Sequence, residues 1–165
     1  GPALEARDVL AVLQRQPGAP ADLALRSAHL AGQLLELGGA AEPGSGEQLA
    51  LDVLADGRAW AKFQEICEAQ GGMRQPPVAP HRRAMPALRS GCVVAIDNRR
   101  LARIAKLAGA PQSPSAGVDL HVRTGDFVER GEPLFTLHAD SPGELAYAVE
   151  YAISQADTVH VTEDA

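Results

Sequence analysis

Histidines, cysteines and a compact run of arginines are the side chains of this 165-residue sequence with the most evident chemical potential. His121, His138 and His160 fall on segments that read as strands, and three imidazoles sharing one sheet would suit a zinc ion. Their spacing argues against it: no HxH or HxxxH pair occurs and no cysteine stands beside them, so exposed strand histidines are the expectation. Cys67 shares a helical face with Trp60 and Phe63, and Cys92 heads the apolar run Val93-Val94-Ala95-Ile96. Both read as reduced, packed thiols, outside any CxxC spacing, and no GxSxG elbow is present.

Anion chemistry has two candidates. Gly44-Ser45-Gly46 precedes a helical pattern, yet it follows no strand and no Lys comes after it, so it reads as a plain flexible loop and not as a phosphate cradle. Arg74, His81, Arg82, Arg83 and Arg89 form the densest basic stretch, expected to be linker arginines packing on an acidic body. No aromatic residue interleaves with them, which removes base stacking. With 21 acidic against 15 basic residues and a net charge of −6, a general polyanion binder is disfavoured, and no nucleic-acid partner is expected.

The elements that must carry these residues divide into two grammars. From Ala3 to Gln70 the pattern is helical. A first helix ends at Pro17-Gly18, and a second after Pro20 sets Leu23, Leu30, Leu34 and Leu37 on one face, a stripe that wants a helical partner. A short third helix carries Leu49 and Val53 and ends near Gly57, and a fourth carries Trp60, Phe63 and Cys67. Met73 to Pro86 holds four prolines and no sustained period, so it reads as a linker. Beyond it, Cys92–Ile96 is a β-rich run and Asp97 or Asn98 caps a helix with Leu101, Ile104 and Ala105 on one face.

Val118–Val122 and Leu134–His138 alternate with period two around a long glycine-bearing turn and read as paired strands. Ser141-Pro142-Gly143-Glu144 is a capping box that starts an amphipathic helix, and Val159–Val161 closes as a strand. The expected fold is α+β, a helical segment over residues 1–75 followed by a small α+β domain over 76–165. The longest apolar stretches are broken by charges, so no membrane span is expected. Gly1-Pro2 runs straight into helical sequence with neither an initiator Met nor a signal-like start, which reads as a piece of a longer cytoplasmic protein.

Two resemblances follow. Gly125-Asp126-Phe127-Val128-Glu129-Arg130-Gly131-Glu132-Pro133-Leu134 has the rhythm of biotinyl and lipoyl carrier hairpins, but the chain continues Leu137-His138-Ala139-Asp140 without the modified Lys, so that likeness is architectural. Gly1–Arg7, Asp56-Gly57-Arg58-Ala59-Trp60 through Gln70-Gly71-Gly72, and Gly117–Ala139 together resemble the C-terminal part of thymidine phosphorylase-like enzymes. Ser90–Asn98 and Lys106–Pro111 resemble the branch that includes the AMP phosphorylases.

The resemblance implies a pentosyltransferase, in which inorganic phosphate displaces a base from a nucleoside or nucleotide and leaves a sugar 1-phosphate. It implies a dimer or other homo-oligomer, a hammerhead-like α/β C-terminal domain, and phosphate- and base-binding residues upstream of Gly1. No catalytic or substrate-binding residue is therefore assigned within this chain, the missing N-terminal part of the enzyme is its expected partner, and inorganic phosphate is the parent enzyme's co-substrate, with no cofactor expected apart from a monovalent cation. The resemblance puts Asp8 at the position of a carboxylate that helps hold a monovalent cation in this family, with Asp in place of Glu; a carboxylate favoured by the dipole at a helix N-terminus explains it equally well. The alternative is a free-standing interaction module. A piece of a larger enzyme leaves the stripe on Leu23, Leu30, Leu34 and Leu37 partly uncovered or buried in a self-association interface, whereas an independent module covers it.

Overall fold

The computed structural model describes residues 1–163. Its backbone groups into two compact units, Glu5–Gln75 and a second made of Gly1–Leu4 with the chain from Pro76 onward. The α+β expectation holds, with helices in the first unit and a mixture of helices and antiparallel strands in the second.

In the helical unit, α1 (Pro2–Leu13), α2 (Ala21–Leu37), α3 (Gly46–Ala55) and α4 (Arg58–Ala69) follow the apolar periodicity of the sequence. Gly57, at φ 88°, makes the left-handed turn between α3 and α4 that a side chain would resist. Trp60 and Phe63 stack within α4, ring centroids 5.9 Å apart.

Alanine and glycine, not the leucine stripe, make the contact of α2 with α3. The buried residues of α2 are Ala28 and Gly32, and Gly32 meets the buried Gly46 at the start of α3. Gly44-Ser45-Gly46 is accordingly no plain flexible loop: the Gly46 N–H donates to Glu36 Oε1 at 2.8 Å, fastening the N-terminus of α3 to α2. The leucine stripe is correspondingly uncovered, with Leu30 45%, Leu34 69% and Leu37 85% exposed.

The second unit holds two three-stranded antiparallel sheets. One has the order β1 (His81–Pro86), β5 (Pro133–Ala139), β3 (Gly117–Leu120), and the other β4 (Phe127–Val128), β2 (Gly91–Ile96), β6 (Val159–Thr162). Val118 pairs with Leu137 and Leu120 with Phe135, the strand pair expected from alternation. The expectation of a linker through Pro86 is corrected, because His81–Met85 pairs in register with Ala139–Phe135 as β1. Pairing with a buried central strand overrides the weak local β signal, and Pro86 sits at the edge strand's end, where the register shifts. Within the long turn, Phe127–Val128 leaves its hairpin to pair with β2 in the other sheet, and Gly125 N–H donates to the Val93 carbonyl at 2.7 Å.

The helices α5 (Asn98–Leu107) and α6 (Pro142–Ser154) begin where capping chemistry places them. Asp97 Oδ1 accepts from the Arg99 and Arg100 N–H groups at 2.9 and 3.0 Å. The Ser141 hydroxyl accepts from the Glu144 N–H at 3.2 Å and donates to its carboxylate at 2.9 Å, closing the capping box. Both helices bury apolar faces in one core with the sheets, centred on Val93, Ile104, Val128, Leu137, Ala148 and Val159.

Candidate functional site

Both units carry concavities, and the second unit holds, besides the cleft described below, a mostly apolar one of about 250 Å³ between β1, β5 and α6, lined by Met85, Phe135, Val149 and Ile153. That of the helical unit is a groove of about 570 Å³ walled by Val9, Val12 and Leu13 of α1, the 23–35 face of α2, and Ala50, Val53 and Leu54 of α3. Positions 23, 24, 27, 28, 31, 34 and 35 of α2 keep one helical face turned to it for about 18 Å, at a rise of about 1.5 Å per residue. Ser27 is the single polar side chain among the described lining residues. A surface of this chemistry can exclude water and bury apolar partners; it offers nothing that moves a proton or holds an anion.

The second unit has a smaller, mixed cleft of about 440 Å³, lined by Arg89, Asp157, His160 and Glu163 beside Pro86, Leu88 and Leu134. Asp157 is committed to Arg100, whose hydrogen bond holds the carboxyl below the usual aspartate range against a smaller opposing effect of burial. With Asp157 paired to Arg100, the cleft is left with Arg89 beside Glu163, a balance of signs and not the cationic surplus of a preorganised phosphate pocket.

The histidines are not gathered. His138 lies on β5, His160 on β6 of the other sheet, and His121 just past the end of β3, where its Nε2 lies 2.7 Å from Thr136 Oγ1. The expectation of exposed strand histidines holds for His160 but fails for His138, which is only 4% exposed. Its strand is the middle one of its sheet, buried along almost its whole length. Cys67 and Cys92 are free thiols, each half-buried.

Arg82 and Arg83 lie on β1, where Arg82 Nε reaches the Ala79 carbonyl at 3.4 Å, and Arg89 lines the mixed cleft together with Asp157 and Glu163. Asp8 is an exposed residue of α1. It can supply one oxygen donor, whereas a hard cation takes several. Among the described residues no group of three or more His, Cys, Asp or Glu side chains gathers that could hold a metal ion. The close α2–α3 crossing was missed from sequence; its signal was Gly32, a residue disfavoured by about 1 kcal/mol in a helix interior unless something needs the space.

Residues 92–157 match the family model of the pyrimidine nucleoside phosphorylase C-terminal domain. The chain is 73% identical over all 165 residues to the Putative thymidine phosphorylase of a Polaromonas species, covering 32% of that protein. It is 62% identical over 165 residues to Putative thymidine phosphorylase 1 of an Acidovorax species, also 32% of that protein. To the Putative thymidine phosphorylase of Sphingopyxis alaskensis it is 65% identical over 153 residues, 92% of this chain and 29% of that one. The chain thus spans about a third of the length of the curated relatives it matches. By its matched domain over residues 92–157 and by identity along its whole length, the chain is similar to a C-terminal part of the thymidine phosphorylase-like proteins.

Proposed function

We propose that the longer protein to which this chain corresponds is a nucleoside or nucleotide phosphorylase, and that these 165 residues are its scaffold, inactive alone. In the reaction a phosphate oxygen forms a bond to the anomeric carbon as the bond to the base nitrogen breaks. The bonding electron pair leaves with the base, which is protonated, and a sugar 1-phosphate remains. The observation that carries this reading is the 73% identity, over the entire chain, to a protein named as a thymidine phosphorylase.

The scaffold role draws support from the groove and the mixed cleft. Phosphorolysis needs a cationic, hydroxyl-rich anion pocket. The mixed cleft sets Arg89 beside Glu163 with Asp157 already paired to Arg100, and the groove is apolar. The uncovered Leu30, Leu34 and Leu37 favour part of a larger protein over a self-contained interaction module.

In the whole enzyme, a homo-oligomer of the cytoplasm in this reading, the anion and base sites lie in the upstream two-thirds. Asp8 there contributes one carboxylate oxygen to a monovalent-cation site whose other ligands are upstream. No helix of the described residues is long and apolar enough to cross a membrane.

The test is phosphate-dependent release of free base from thymidine and from AMP, measured for the full-length protein and for the 165-residue chain. Turnover by the full-length protein and none by the chain is the expected result. Turnover by the chain alone overturns the scaffold assignment, and none by either overturns the phosphorylase reading.

A further inference from the structure

We infer that the groove of the helical unit is the seat of an α-helix supplied by the additional polypeptide of the longer protein, a segment that presents an apolar face at helical spacing. The inference rests on reading this chain as part of that longer protein.

Three observations carry it. The first is chemical: Ser27 is the single polar side chain among the described residues lining about 570 Å³. A small-molecule site needs a few placed polar groups to orient its ligand, and this groove lacks them, so its natural occupant is an array of apolar side chains. The second is shape. The groove runs along one face of α2 with α1 and α3 as flanks, a slot between helices for a further helix laid in by ridges and grooves. Its rim is already apolar and open, with Val9 39% and Leu34 69% exposed.

The third is length. The Polaromonas relative is matched over 32% of its chain, so about twice as much polypeptide as is described here stands ready to supply the occupant. No second chain has to be invoked.

The experiment compares the 165-residue chain with a chimera in which it replaces the matching third of the Polaromonas relative. Leu34→Cys and, separately, Val9→Cys are labelled with a maleimide, and each site is read by peptide mass spectrometry so that Cys67 and Cys92 stay in place. Leu25→Cys, at a position 55% exposed and outside the groove lining, is the control. Position 34 is exposed enough for the substitution to leave the chain folded, which a thermal melt verifies. Labelling at positions 9 and 34 is expected to slow roughly a hundredfold in the chimera, as an opening reaction of a few kcal/mol would impose, while position 25 is unchanged.

A benzophenone attached at position 34 of the Leu34→Cys chimera is expected to cross-link to upstream residues spaced three and four apart. Equal labelling in both proteins, cross-links to a second copy, or cross-links to a non-helical segment each overturn the inference. Because neither readout uses catalysis, a groove protected in the chimera leaves this inference standing even where the full-length protein shows no phosphorolysis and the proposed reaction fails.

Discussion

A Cβ placed on Gly46 would lie 2.2 Å from the carbonyl oxygen of Gly32, and one placed on Gly32 would lie 2.3 Å from the amide nitrogen of Glu47. The two glycines let the backbones of α2 and α3 touch, and that contact fixes one wall of the apolar groove.

Gly46→Ala and Gly32→Ala should each destabilise the chain by about 1–3 kcal/mol, because the clash is with backbone that has no rotamer to yield. Gly143→Ala has open space around it and should stay within about 1 kcal/mol of the parent. Urea denaturation followed by circular dichroism separates these cases, and a Gly46→Ala variant as stable as Gly143→Ala would contradict the crossing.

The acid limb of stability should depend on two carboxylates. Glu36 is held below the usual glutamate range by backbone hydrogen bonds from Gly44 first and Gly46 second, and Asp157 below the usual aspartate range by its hydrogen bond from Arg100. Since the folded pKa of each is depressed, the stabilisation is fully present above the unfolded value. It is lost as pH falls through the folded one. Arg100→Gln removes the leading cause at Asp157. The midpoint of its carboxyl titration by NMR should then rise toward the usual aspartate range, and the acid limb should become shallower. An unchanged midpoint would refute the assignment.

Ser141→Ala should cost about 1 kcal/mol by stripping the N-cap of α6, whereas Ser141→Asp should recover most of it, since a carboxylate also accepts from the Glu144 N–H. Thermal melts of the three proteins at neutral pH measure the difference. Equal melting temperatures would mean that tertiary packing, not the cap, sets the start of that helix.

Diethyl pyrocarbonate should modify His160 and His121 promptly and His138 slowly, in keeping with the exposure of the first two and the burial of the third. Peptide mapping over a time course reads the order. Modification of His138 at the rate of His160 would be incompatible with a closed central strand.

Features fixed within a few residues were legible without the fold. The four helices of the first unit, the caps at Asp97 and Ser141 and the pairing of β3 with β5 follow from apolar periods, from side-chain oxygens one turn before a helix, and from alternation. Features that depend on distant partners were not. His81–Pro86 becomes a strand because β5 offers it a free edge, Phe127–Val128 joins the other sheet because β2 does, and His138 is buried because its neighbours on both sides are strands.

The amino-acid order by itself determined the family resemblance, through motifs in sequence, and the apolar stripe on α2, through its period. Tertiary structure alone decided that the stripe stays open while Gly32 and Gly46 make the helix contact. The reason is steric: the closest approach of two helices is set by the smallest side chains on their facing ridges, and only coordinates show which face those are.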